Sequence, residues 1–258
     1  MLTPEIIAKM LDHSTLQPFL TARDVEAGCE LALKYDTASV CARPGDMKLV
    51  SRLLRGSGVK VCTVIGFPHG AHRTDVKAFE AERALDDGCA ELDMVINIGL
   101  MKAADYQAAE DDIRAVAEAA HRRGAILKVI FENCYLDEEQ KIAACRISER
   151  AGADFVKTST GYGAGGATVE DVRLMRAHVP PRVSVKASGG IRDLDTVLAM
   201  RAAGAARCGV SATEAIVEEA LRRHGTGTLL EAAPGASGPG SPGGPGSPGG
   251  PGSPGGGY

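Results

Sequence analysis

Long apolar runs are missing from this sequence: none approaches the ~20 residues that cross a bilayer, and the first ten residues carry charges inside their short apolar stretch. A soluble, cytoplasmic protein with no membrane partner is the expectation. Basic runs are missing as well, and with a formal net charge of -4 the electrostatic footprint of a nucleic-acid binder is lacking. No CxxC pair occurs among Cys29, Cys41, Cys62, Cys89, Cys134, Cys145 and Cys208, an odd and scattered set that argues against both a disulfide framework and a zinc knuckle. No GxxxxGK[ST] occurs, so the phosphate cradle of nucleoside triphosphate folds is not in evidence.

What is present is an alternation. From residue 10 to residue 211, short β-rich runs alternate with amphipathic stretches, the pattern of a parallel sheet covered by helices. Eight strands are predicted: Leu11 to Thr15, Ala38 to Arg43, Val59 to Ile65, Ala90 to Asn97, Ile126 to Glu132, Phe155 to Ser159, Val183 to Ala187 and Arg207 to Val210. Thr21, Asp137 and Thr168 suit helix N-caps, and Gly88, Gly124, Gly152 and Gly204 follow the last helical turns. Eight βα units in about 215 residues fit a closed (β/α)8 TIM barrel of the α/β class better than an open doubly wound sheet. No linker interrupts the first 225 residues, so a single barrel domain is assigned to residues 1 to 226. Residues 227 to 258 are assigned to a low-complexity tail, almost wholly Gly, Pro and Ser from 234 on. Its glycines recur at every third position from Gly240 to Gly255, as in collagen, but so few triplets favour disorder over trimerisation.

Barrel strands show alternate side chains to the lumen and to the helices. In the fourth strand Leu92, Met94 and Ile96 form the apolar set, leaving Glu91, Asp93 and Asn97 to the lumen. The same parity turns Lys128 and Glu132 inward, and places Lys157 with Ser159 and Lys186 with Ser184 and Ser188. Three lysines and an aspartate therefore converge. For Lys128 an ion network is the simpler reading, whereas Lys157 and Lys186 point to chemistry, because buried charges need full pairing and mid-strand lysines are rare. The chemistry open to a lysine is Schiff-base formation, which needs an amine made neutral by desolvation and a neighbouring cation.

At these residues the chain resembles the deoxyribose-phosphate aldolases. The pieces are LDHSTL (11 to 16), SVCARP (39 to 44), VCTVIGFPHG (61 to 70), ELDMVINIG (91 to 99), LKVIFE (127 to 132), FVKTSTGY (155 to 162), VKASGGIRD (185 to 193) and CGVSA (208 to 212). The resemblance implies reversible cleavage of 2-deoxy-D-ribose 5-phosphate to acetaldehyde and D-glyceraldehyde 3-phosphate, with no cofactor and no metal. It implies Lys157 as the Schiff-base lysine, Lys186 as a second lysine that lowers its pKa, and Asp93 as the acid/base group acting through a water. Substrate contacts are expected from Asp12, Ser14, Cys41 and Lys128, and phosphate contacts from the backbone at Gly161, Gly189, Gly190, Gly209 and Ser211. Tyr258 matches by position a terminal tyrosine that assists proton transfer in some members. Partners are then small phosphorylated sugars and aldehydes, with further copies of the chain as an option. Two positions depart from the pattern: Tyr162 stands where some relatives have a phosphate-contacting lysine, and Ala212 where others have serine. His69 and His72 are spaced as a metal pair could be, but no third ligand is evident and they are read as loop histidines. Two other functions stay open on the residues alone: a different lysine-dependent barrel aldolase, and a barrel kept as a scaffold with an interacting tail.

Overall fold

The computed structural model describes residues 2 to 232. Eight parallel strands close on themselves in sequence order: β1 (Leu11–Thr15), β2 (Ser39–Ala42), β3 (Lys60–Ile65), β4 (Glu91–Val95), β5 (Ile126–Ile130), β6 (Phe155–Lys157), β7 (Ser184–Ser188) and β8 (Ala205–Val210). Around them run α1 (Pro4–Ala8), α2 (Ala22–Tyr35), α3 (Met47–Leu53), α4 (Thr74–Asp86), α5 (Ile98–Lys102), α6 (Tyr106–Arg122), α7 (Glu138–Arg150), α8 (Val169–His178), α9 (Leu194–Ala202) and α10 (Thr213–Gly225). The closed barrel is the expected one, and each of the eight predicted strands is found within about two residues of its bounds.

Local chemistry explains the helix ends. Thr21 and Asp137 each close a reciprocal capping box, with Asp24 and Gln140 respectively, and the Thr168 hydroxyl accepts from the Asp171 amide. Gly88, Gly152 and Gly204 leave their helices at φ 99°, 92° and 110°, a region that costs a side chain dearly, and the chain turns there at once into the next strand. Two helices were not expected. α1 and α5 are five residues each, too short to show a 3.6-residue apolar rhythm, although Thr3 caps α1 and Pro4 opens it.

The core lies in two places. Between barrel and helices, Leu92, Met94, Val129, Phe131 and Val185 are fully buried on the outward parity, and each large side chain of this kind contributes on the order of 2 kcal/mol through burial. Inside the barrel a small apolar patch of Cys41, Cys62 and Val64 fills one side, with Leu16 and Phe67 against it. The other side of the lumen is charged. The expected domain boundary at 226 needs correction: residues 227 to 232 lie against the barrel, with Leu229 buried and Glu231 paired to Arg201 at 3.0 Å. The remainder of the tail, and Tyr258 with its suggested role, lie outside the described residues.

Candidate active site

A cavity of about 230 Å³ opens at the C-terminal end of the barrel, the face on which barrel enzymes keep their sites. Its walls are the ends of β1, β6, β7 and β8 and the loops that follow them. Asp12, Ser14, Cys41, Lys157, Lys186, Gly161, Gly189, Gly190, Gly209 and Ser211 all line it.

Strand register explains which lysine goes where. Lys157 ends β6 and pairs in register with Lys186 of β7, so two amines stand side by side at the cavity floor. Asp93 of β4 pairs with Lys128 of β5, one layer deeper, because the residue level with Lys157 on β5 is Ile130. Lys128 is consequently a correction to the list of substrate contacts. It is fully buried, does not line the cavity, and lies 2.6 Å from Glu91 and 2.8 Å from Asp93 as part of an ion network. Asp93 also stays below the cavity surface. Its Oδ2 accepts from Lys157 Nζ at 2.8 Å and from Lys186 Nζ at 2.7 Å, while Oδ1 accepts from Lys128 Nζ.

The electrostatics follow from this crowding. Burial pushes the Asp93 carboxyl upward, but the ammonium groups of Lys128, Lys157 and Lys186 outweigh it and hold the group well below the usual carboxylate range. Asp12, likewise buried, is held down to about 2 by Lys186, Lys128 and Arg207. Burial works against charge on Lys186, yet Asp12, at 2.5 Å, and Asp93 reverse the effect and raise it above the ordinary lysine range. Lys186 is a fixed cation at neutral pH. Beside it, Cys41 faces the cavity, and the neighbouring Cys62 thiol lowers its pKa despite burial, whereas burial drives Cys62 itself upward.

Glycine makes room for this arrangement. A Cβ at Gly209 would lie 2.9 Å from the Ser188 Cβ and 3.4 Å from Lys186 Cε, so a side chain there would crowd the amine. Gly189 and Gly190 turn with φ of 90° and 82° between β7 and α9, leaving backbone amides without side chains at the cavity wall. α10 begins beside them, and its N-cap Ala212 offers no side-chain acceptor to the first turn of amides.

Several site residues escaped the sequence reading. Arg207 bonds Asp12 through Nη1 and Glu91 through Nη2 at 2.7 Å; parity with Gly209 on β8 was a signal for it. Arg192 and Thr160 line the cavity from loops, where no periodicity marks them. Tyr162 lines it too. Its hydroxyl donates to the Leu16 carbonyl at 2.9 Å and its ring meets Phe67 edge-on, so it ties the loop after β6 to the end of β1. Cys41, Cys62 and Asp93 bring three metal-type ligand atoms within 4.8 Å of one another. Three ammonium groups already share Asp93, so a dication there would displace or oppose them.

Barrel and site together place two amines and a buried carboxylate at the mouth of a (β/α)8 fold. The family model described as DeoC/LacD family aldolase matches residues 6 to 219, and the chain belongs to that family: it is an aldolase, a carbon–carbon lyase. It is 49% identical over 232 residues to the deoxyribose-phosphate aldolase of Rhodopirellula baltica, covering 90% of this chain and 96% of that one. With the deoxyribose-phosphate aldolase of Thermococcus gammatolerans it shares 54% over 216 residues, 83% of this chain and 96% of the relative. The solved tetrameric deoxyribose phosphate aldolase of Aeropyrum pernix superposes with a TM-score of 0.79 at 33% identity, over 84% of this chain and 92% of that one.

Proposed function

We propose that this aldolase reversibly cleaves 2-deoxy-D-ribose 5-phosphate to acetaldehyde and D-glyceraldehyde 3-phosphate through a Schiff base on Lys157. The observation that supports the reading most is the pair of lysine nitrogens at the cavity floor, 2.8 and 2.7 Å from one oxygen of Asp93, which lies directly beneath them.

Lys157 gives up a proton through Asp93 and adds as the free amine to the C1 aldehyde, and the carbinolamine loses its hydroxyl as water to give a protonated imine. The imine draws electrons, so the C2–C3 bond breaks as the C3 hydroxyl gives up its proton. C3 becomes the aldehyde of the departing three-carbon phosphate, and the electron pair stays on C2 as an enamine. Protonation at C2 and hydrolysis release acetaldehyde and return the amine. Asp93, reaching the cavity through a water, takes and returns protons at the carbinolamine and the C3 hydroxyl, and the fixed cation Lys186 completes the relay. Asp12, Ser14 and Cys41 border the sugar. The amides of Gly161, Gly189, Gly190, Gly209 and Ser211, at the start of α10, receive the phosphate, with Arg192 at the rim.

The same reading makes the protein a cytoplasmic enzyme of carbohydrate degradation that needs no cofactor, and one that associates with further copies of itself as the Aeropyrum pernix protein does. Borohydride reduction in the presence of acetaldehyde tests the chemistry. A two-carbon adduct is expected on the peptide holding Lys157; an adduct elsewhere, or none, ends the assignment.

A further inference from the structure

Among the described residues of the lumen network, Arg207 joins Lys128, Lys157 and Lys186 as the one cation that is an arginine. It stands on β8 in register with Lys186 of β7, so Lys157, Lys186 and Arg207 form a row across three adjacent strands. Its guanidinium forks between two carboxylates, with Nη1 on Asp12 Oδ1 and Nη2 on Glu91 Oε1 at 2.7 Å. Each of those carboxylates sets its other oxygen in ion-pair contact with a lysine, without hydrogen-bond geometry: Asp12 Oδ2 lies 2.5 Å from Lys186 Nζ, and Glu91 Oε2 lies 2.6 Å from Lys128 Nζ. Both lysines then converge on Asp93, one on each oxygen. Arg207 is therefore at the closed end of two parallel chains that finish at the same carboxylate, and it does not itself line the cavity.

From this we infer that Arg207 is a positioning residue for the reaction, which fixes the direction in which Lys186 and Asp93 present their proton to the cavity. The inference rests on the function proposed above. A planar fork holds two carboxylates in one orientation, which an ammonium cannot do. With Asp12 Oδ1 so engaged, Oδ2 is turned to Lys186, and the Lys186 amine is drawn into the narrow space left by Gly209. Without the fork, Asp12 can rotate toward Lys128, which is already 3.9 Å from it, and Lys186 loses its second anchor. A displacement of about 1 Å in a proton relay costs on the order of 100-fold in rate. Other groups facing Asp12 are Lys128 from β5, Lys186 from β7 and Asp93 from β4, so its charge depends on Arg207 for part of its stabilisation only.

The test uses the full chain and two variants. Arg207→Met with Glu91→Gln removes one cation and one anion together and leaves no unpaired carboxylate at Glu91, which protects the fold. Arg207→Ala opens a space for added guanidinium ion, since the Arg207 side chain is 13% exposed whereas Lys186 is 1% exposed. In the double variant, kcat and the rate of acetaldehyde trapping by borohydride are expected to fall together by about 10-fold to 100-fold, with KM within about threefold. The acid limb of kcat should move to higher pH, and guanidinium should restore part of the lost rate in Arg207→Ala. Unchanged kcat per folded molecule, with only the thermal midpoint lowered, overturns the inference. So does a loss that guanidinium leaves untouched while KM alone rises. The parent chain is the control: a parent that forms no adduct at Lys157 overturns the function and this inference with it, whereas a parent that labels beside an equally active variant overturns this inference alone.

Discussion

Lys157 and Lys186 are register partners on adjacent strands, and their nitrogens share a single oxygen of Asp93. Two like charges so close are tolerable only because the lumen supplies Asp12, Glu91 and Asp93 against Lys128, Lys157, Lys186 and Arg207. Such a network costs desolvation and gives function in return for little stability.

Replacing Lys186 with Met should therefore lower kcat for cleavage by about 100-fold or more, the usual worth of a positioned proton donor. KM should change little, because the phosphate contacts proposed above lie elsewhere. Steady-state kinetics decides; an equal loss in KM would make Lys186 a binding group instead.

Tyr162 is expected to bear on phosphate affinity and not on the reaction. Tyr162→Lys places a cation near the cavity rim and breaks the tie to the Leu16 carbonyl. KM for the phosphorylated sugar is expected to drop several-fold, by analogy with an exposed charge pair of up to about 1 kcal/mol, while kcat for the unphosphorylated sugar stays the same. A changed kcat with both substrates would contradict this.

His13 on β1 is buried with its Nδ1 2.9 Å from the Thr213 hydroxyl, and burial depresses its pKa to about 4. Between pH 6.5 and 4 the unfolded chain binds a proton at this residue that the folded chain refuses, so stability is fully present above pH 6.5 and falls as the pH drops toward 4, by about 3 kcal/mol. The depressed carboxylates Asp12 and Asp93 add their loss only below about pH 4, in the same direction. Urea midpoints measured across this range should lose the upper part of the slope in His13→Asn. A slope that survives the substitution belongs to another group.

Lys77 of α4 is wholly buried, 2.5 Å from Asp112 of α6 and 3.0 Å from the Val95 carbonyl. Lys77→Met leaves Asp112 charged and buried, with only the Thr74 hydroxyl as a partner. A loss of about 3 to 5 kcal/mol is expected, visible as a lower denaturant midpoint. Lys77→Met with Asp112→Leu should recover most of it, since an apolar pair of similar volume removes the orphaned charge.

The sequence alone determined the repeat and the parity. Eight β-rich runs separated by capped helices can close in few ways, and alternation along a strand sorts Asp93, Lys128, Lys157 and Lys186 to one side without any knowledge of neighbours. Motifs such as FVKTSTG then supplied the family, because they carry the residues whose chemistry is hardest to replace. Depth within the lumen was decided only by the tertiary structure. Whether an inward lysine meets substrate or ends beneath it depends on the stagger between strands, which set Lys157 level with Ile130 and left Lys128 a layer below. Arg207 escaped notice for the same reason: its partners, Asp12 and Glu91, are 195 and 116 residues away in sequence, and only barrel closure brings β8 against β1 and across from β4. Periodicity reports the face of an element, while long-range pairing reports its register, and the register is what sets the site.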